Sequence, residues 1–288
     1  MKKSRIYALA ALAVAVALTF IGLLVGSVHS NAASTTATSV IAPAAKVSSS
    51  TLPRPTPTSV IHALPLPPRH HYTVLVIGDS LGTDLAGGLG YQLETSHRVT
   101  LVQKGKSETG LSNGWFYNWP RHLRAFLKQY HPQLLIVFLG GNDEQGMNVH
   151  GRAAAFATPA WRTQYATNVA TMMHEATRAG SAVLWVGMPI MSPNGYRQGM
   201  QVVNGIFAAQ AAKMPRVTFL PTWNLMANAQ GQFKFSAWVN GKYQPVRASD
   251  GIHLTAVGQN VIATYVVKEM RHLYRLPVAP HFPMQFVR

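Results

Sequence analysis

Four short apolar runs recur along the chain, at Tyr72–Ile77, Leu134–Leu139, Ala182–Gly187 and Val217–Leu220. Each is too short for a stable helix and apolar throughout rather than alternating, the pattern of a strand covered on both faces. Helix-period stretches lie between them, roughly Thr83–Thr95, Pro120–Gln129, Thr158–Arg178 and Gly199–Lys213, and a last one runs from about Thr255 to Leu273. Strands alternating with helices predict an α/β domain built on a parallel sheet. Asn240-Gly241, set between Phe233–Val239 and Lys242–Val246, predicts a type I′ hairpin just ahead of the last helix.

The front of the chain obeys other rules. Lys2, Lys3 and Arg5 precede an uncharged apolar run from Ile6 to about Val28, which reads as an export signal with its basic end left inside. The run approaches the ~20 residues that cross a bilayer as a helix, which favours an uncleaved anchor. Ser30-Asn31-Ala32 nevertheless offers small residues to a signal peptidase, and both outcomes stay open. Residues 33–71 are rich in Ser, Thr, Ala and Pro and read as a spacer, with His62, His70 and His71 as solvated linker residues. The expected organisation is a signal or anchor at 1–32, a linker at 33–71, a catalytic domain at 72–275 and a tail at 276–288. The domain would then lie outside the cytoplasm, either held at the membrane or secreted.

The formal charge of +16 reflects a scarcity of acids, with 9 Asp and Glu against 25 Lys and Arg. A basic surface attracts polyanions. No nucleic-acid motif is present, so anionic polymers of a cell envelope are the expected partners rather than nucleic acid. The chain has no cysteine, which excludes disulfides, thiolate metal sites and cysteine nucleophiles. Four of the scarce acids, Asp79, Asp143, Glu144 and Asp250, sit in or beside three short motifs.

Ligands of parallel α/β sheets bind outside the carboxyl ends of the strands, and the motifs fall there or in late loops. Gly78-Asp79-Ser80-Leu81 directly follows the first strand, placing a serine at a helix N-terminus whose free N–H groups suit an oxyanion. Alone, it reads better as a helix cap supplied by Asp79 or Ser80. Gly140-Gly141-Asn142-Asp143 follows the second run, and an Asn held there can donate to an oxyanion. Asp250-Gly251-Ile252-His253 precedes the last helix, with a carboxylate spaced to bond one imidazole nitrogen and leave the other for a serine proton. Glu94 with His97 and Glu269 with His272 share that spacing but belong to helical segments or their ends, where such pairs are structural.

The order of these blocks resembles the SGNH, or GDSL-type, hydrolase superfamily over Tyr72 to Leu273. The text around them, including Thr109-Gly110-Leu111 and Trp185-Val186-Gly187-Met188-Pro189, resembles a bacterial branch named only as a domain of unknown function. The resemblance implies a flavodoxin-like three-layer α/β/α sandwich with a central parallel sheet, and ester hydrolysis with neither metal nor cofactor. It also implies Ser80 as nucleophile, His253 as general base, Asp250 as its orienting partner, and Asn142 with the Ser80 N–H as oxyanion donors. The chain departs from the pattern where the superfamily offers a glycine N–H: Gly105-Lys106-Ser107-Glu108-Thr109-Gly110 aligns Glu108 with that glycine. Glu108 and Gly110 therefore both stand as the third donor.

Substrate signals are thinner. Trp115, Phe116, Tyr117 and Trp119 cluster just after the Gly105–Gly110 segment, and Trp115 is the expected sugar-stacking face, with core packing explaining at least half of the four. Arg247 is the expected anchor for an anionic substrate group, against the reading of a solvated base. The leading expectation is an esterase for O-acyl groups, chiefly O-acetyl, on an envelope polysaccharide or another acylated carbohydrate or ester. Alternatives are an O-acyltransferase of the same fold, a non-catalytic envelope-anchored binding protein, and a metal-dependent phosphoesterase using Asp79, Asn142, Asp143, Asp250 and His253.

Overall fold

The computed structural model describes residues 65–192 and 196–287; the expected signal or anchor and most of the linker lie outside them. All described residues belong to the compact unit Pro53–Arg288, which encloses its own hydrophobic core and so meets the physical requirement for folding alone.

The chain enters through β1 (Tyr72–Gly78), α1 (Ser80–Gln92), β2 (Val99–Gly105), α2 (Trp119–Tyr130) and β3 (Leu134–Phe138). A small hairpin of β4 (Met147–Val149) and β5 (Arg152–Ala154) precedes α3 (Pro159–Arg178), β6 (Ala182–Val186), α4 (Tyr196–Ala211) and β7 (Val217–Leu220). Then come β8 (Ser236–Val239), β9 (Lys242–Pro245), α5 (Ala256–Tyr274) and β10 (Phe286–Val287). The main sheet is parallel in the order β2-β1-β3-β6-β7. Helices α1 and α5 pack together on one face, and α2, α3 and α4 in sequence on the other. This is the flavodoxin-like three-layer α/β/α sandwich, whose strand order reverses between β1 and β3.

Strands β3, β6 and β7 are buried at every residue, as their unbroken apolar runs require. Strand β2 is the one the four-run pattern missed. It forms one edge, its residues are mostly half-buried or exposed, and Thr100, Gln103 and Lys104 interrupt its apolar character. Helix starts follow local chemistry. Asn118, Thr158 and Thr255 are N-caps whose side chains accept from Arg121 N, Trp161 N and Gly258 N, and prolines occupy the first turns of α2 and α3. The Asn240-Gly241 turn joins β8 to β9 with both residues at positive φ, 52° and 74°, as a type I′ turn demands.

Two boundaries move. The linker does not run to 71 as a free spacer: Leu66 is buried, its N–H donates to Tyr274 O at 3.0 Å, and Arg98 donates to Arg69 O and His70 O. Nor is 276–288 a detached tail. Leu276 and Val278 are buried, Phe282 stacks on Tyr91, and β10 pairs antiparallel with β8. Both segments carry apolar residues that hide surface the central domain would otherwise expose.

Helices α1 and α5 approach closely through Gly88, where a Cβ would sit 2.5 Å from Gln259 O and 3.0 Å from the Ala263 methyl. Gly88→Ala would gain about 1 kcal/mol of helix propensity. It would also force the helices apart at a cost of about 1–3 kcal/mol. We expect a net loss, seen as a Tm lowered by a few degrees in thermal denaturation.

Candidate active site

The site forms where β1 and β3 end, at the reversal of strand order. Asp79, not Ser80, caps α1. Its Oδ1 accepts from Leu81 N at 2.9 Å, and its Oδ2 accepts from Gly140 N at 3.0 Å and Gly141 N at 2.8 Å. One buried carboxylate thus ties the serine turn to the Gly140-Gly141-Asn142 turn. Burial pushes Asp79 up to about 6, against the pull of those backbone N–H groups.

With Asp79 acting as the cap, the Ser80 hydroxyl is free to face His253. Ser80 Oγ lies 2.8 Å from His253 Nε2, and His253 Nδ1 lies 2.6 Å from Asp250 Oδ2. Asp250 Oδ1 accepts from Ile252 N and His253 N at 2.8 and 3.0 Å, folding the loop around its own carboxylate. Desolvation raises the Asp250 pKa, but the bond to His253 and the two backbone N–H groups outweigh it and hold the carboxyl below the usual range. An ionised Asp250 places the imidazole proton on Nδ1 and leaves Nε2 to accept the serine proton. The side chains of His253 and Asp250 are 40% and 45% exposed, so the site opens on solvent.

The histidine loop is also held from below, by residues whose positions depend on tertiary contact. Asp84, one helical turn after Ser80, accepts from Leu254 N at 2.9 Å and from Gln259 Nε2 at 3.0 Å, joining the serine helix to the residue after His253. Arg247 is a correction to the sequence reading. It is 2% exposed, and its guanidinium donates to Ile252 O at 2.7 Å and Ile190 O at 2.6 Å. It faces the interior as a clamp on the Asp250–His253 loop, not outward as a substrate anchor, because these two buried carbonyls need donors.

Asn142 is half-buried at the end of β3, and its amide donates to Thr109 O at 3.0 Å, leaving its second N–H without a partner among the described residues. That bond joins the Gly140–Asp143 turn to the Gly105–Gly110 segment. Glu108, aligned with the superfamily's glycine, has φ +63°, the left-handed conformation that glycine adopts most easily. The backbone shape of the glycine slot is thus kept with a side chain present, and Glu108 is exposed. Gly110 is buried against Asp143, where a Cβ would fall inside the carboxylate. Asp143 is fully buried and accepts from Ser112 N, Ser112 Oγ and Tyr165 Oη at 2.7–2.8 Å. Trp115 is 87% exposed and among the described aromatic rings contacts only Phe116, while Trp119 is wholly buried.

The carboxylates of the metal-dependent alternative do not converge. Asp79 and Asp143 are turned to backbone and hydroxyl donors, and among the described residues no three His, Cys, Asp or Glu side chains group as metal ligands. Nor is any helix among the described residues long and apolar enough to cross a membrane.

The fold has solved counterparts. A GDSL-like lipase from Bacteroides thetaiotaomicron superposes with a TM-score of 0.52 at 17% identity, covering 73% of this chain and 93% of that one. TesA gives 0.49 at 22% identity over 70% and 99% of the two chains. A variant of an acetyl xylan esterase from Geobacillus stearothermophilus gives 0.47 at 15% identity over 69% and 94%. Nothing among curated proteins matches the chain. Residues 73–269 match the family described as "Protein of unknown function (DUF459)", and the chain belongs to that family, with the fold of the SGNH hydrolases.

Proposed function

We propose that this protein is a serine esterase that cleaves O-acyl esters through an acyl-enzyme. The observation that carries the reading is the continuous hydrogen-bonded chain Ser80–His253–Asp250 at 2.8 and 2.6 Å, placed at a helix N-terminus. Ser80 Oγ attacks the ester carbonyl carbon as His253 Nε2 takes its proton, and Asp250 balances the imidazolium charge. The negative charge on the carbonyl oxygen is met by the Ser80 N–H, which lies in the first turn of α1 and has no intrahelical acceptor, and by the free N–H of Asn142. A backbone N–H of the Glu108–Gly110 turn is the third donor. Collapse expels the alcohol with the proton from His253; water, its proton taken by His253, then attacks the acyl-Ser80, and the carboxylic acid leaves as His253 returns that proton to Ser80 Oγ. Removing one such donor costs about 10²–10³ in kcat in comparable sites. Asn142→Ala is expected to show that loss with little change in KM, in steady-state p-nitrophenyl acetate hydrolysis.

The open histidine and aspartate suit an ester displayed on a bulky carrier, and the exposed Trp115 offers a face on which a sugar ring can stack. These features support short O-acyl groups, chiefly O-acetyl, on a polysaccharide as substrate. The basic, apolar start of the chain supports a location outside the cytoplasm, with Ile6–Val28 as membrane anchor, and the +16 charge supports anionic envelope polymers nearby. The direct test is acetate release from an acetylated xylan by residues 53–288, with and without chelator. Chelator-insensitive release that Ser80→Ala abolishes supports the reading; release unchanged by Ser80→Ala contradicts it.

A further inference from the structure

In a parallel α/β sheet the strand starts and helix ends share one pole, and the strand ends that carry the site share the other. The acids of this chain are divided unevenly between the two. Six of the nine lie at the catalytic pole: Asp79, Glu108, Asp143, Glu144 and Asp250 at the strand ends or in the loops around the site, and Asp84 in the first turns of α1. At the opposite pole, Lys128, Arg178, Lys213, Arg271 and Arg275 stand exposed at or just past the ends of α2, α3, α4 and α5. Arg69, Arg98 and Arg216 stand exposed just before β1, β2 and β7. The contacts confirm one contiguous pole: Arg98 donates to Arg69 O, Arg216 donates to Gly180 O beside Arg178, and Tyr274 donates to Val183 O.

Of the three remaining acids, Glu175 is paired with Arg124 at 2.9 Å and Glu269 is half-buried on α5, which leaves Glu94 as the exposed acid near this pole. Cations at helix C-termini complement the helix dipole, and that explains five of the eight. The dipole does not explain Arg69, Arg98 and Arg216, which precede strands; Arg98 and Arg216 each donate to backbone carbonyls yet remain exposed, so their charge still faces solvent. The chain also enters at this pole. Leu66 bonds Tyr274 O at the end of α5, and the 64 residues ahead of Pro65 include the uncharged run Ile6–Val28.

We propose that the basic pole docks on anionic lipid headgroups, holding the domain flat on the membrane surface with its catalytic pole turned away. The proposal rests on the membrane-anchored reading above and adds a second, electrostatic contact to it. An anchor at the start of the chain does not by itself set which pole of the domain faces the membrane. The docked pole supplies the orientation, and it brings the site to face outward toward a polymer layer rather than toward lipid.

The test uses residues 53–288, which contain the whole pole and no anchor, in sedimentation with vesicles of phosphatidylcholine alone or with 30% phosphatidylglycerol. Binding is expected with the anionic vesicles only and is expected to vanish at high salt. Each headgroup-facing cation contributes about a fivefold factor in affinity, taking ~1 kcal/mol per charge. Lys128→Gln, Arg178→Gln and Arg271→Gln together should therefore weaken binding by about a hundredfold. The same change at Arg121, Arg152 and Lys106, at the catalytic pole, should leave it unaltered. Equal losses in both triple variants, no binding to anionic vesicles, or binding to soluble polyphosphate in preference to vesicles would each overturn the proposal. The full chain on phosphatidylcholine vesicles reads the anchor separately: attachment resistant to alkaline carbonate supports it whatever the basic pole does.

Discussion

Ser80→Ala and His253→Ala are each expected to lower kcat for p-nitrophenyl acetate by a factor of about 10⁴ or more, with KM little changed. The size follows from the arrangement: the two side chains form one proton-transfer unit at 2.8 Å, so either loss removes the whole covalent route. The double variant should be scarcely worse than either single one, because groups that act as a unit lose their function once. Asp250→Asn should cost less than Ser80→Ala, since its carboxylate orients the imidazole and steadies its charge without touching the ester. Steady-state kinetics on the four proteins, each checked for folding by circular dichroism, decides this. A double variant much slower than both singles would mean that Ser80 and His253 act independently.

The second large effect is on stability. Trp161→Ala should cost about 3–5 kcal/mol in urea denaturation. Trp161 is wholly buried on α3, stacks on Tyr165 with ring centroids 4.5 Å apart, and donates to Gln145 O at 2.8 Å. Tyr165 in turn donates to the buried Asp143 carboxylate, which packs against Gly110, so the loss should reach the Gly140–Asp143 turn and the Glu108–Gly110 turn and lower activity as well. Trp115→Ala should change stability by less than about 0.5 kcal/mol, because its ring is 87% exposed. Comparing the urea midpoints of the two variants checks the contrast. If the ring of Trp115 stacks on a sugar, its loss should instead raise KM for an acetylated polysaccharide while sparing p-nitrophenyl acetate.

The sequence carried much of this outline for identifiable reasons. Strands buried on both faces must be apolar without interruption, and β1, β3, β6 and β7 could be read from that alone. Strand β2 could not, because most of its residues are half-buried or exposed and it admits Lys104 and Gln103, whereas β7, at the other edge, is covered throughout. Ser80, Asn142, Asp250 and His253 stood in short local motifs, and local motifs survive in one dimension. Asp84 and Arg247 did not, since their partners Leu254, Ile252 and Ile190 come from contacts that only the folded chain makes. An arginine beside a catalytic motif reads as a substrate arm until burial shows its guanidinium turned to backbone carbonyls. Asp84 lies one turn after Ser80 on α1, but nothing in the sequence marks Leu254 and Gln259 as its partners. The left-handed backbone at Glu108 was likewise hidden, because a glutamate gives no sign of φ +63°.

The most direct test of the covalent serine mechanism is the intact mass of residues 53–288 after exposure to a fluorophosphonate, with peptide mapping of the adduct. Ser80 Oγ should displace fluoride and carry one phosphonyl group per chain. Ser80→Ala should stay unmodified, and His253→Ala should react far more slowly. An unmodified wild-type chain, or an adduct that persists in Ser80→Ala, would contradict the assignment of Ser80 as nucleophile.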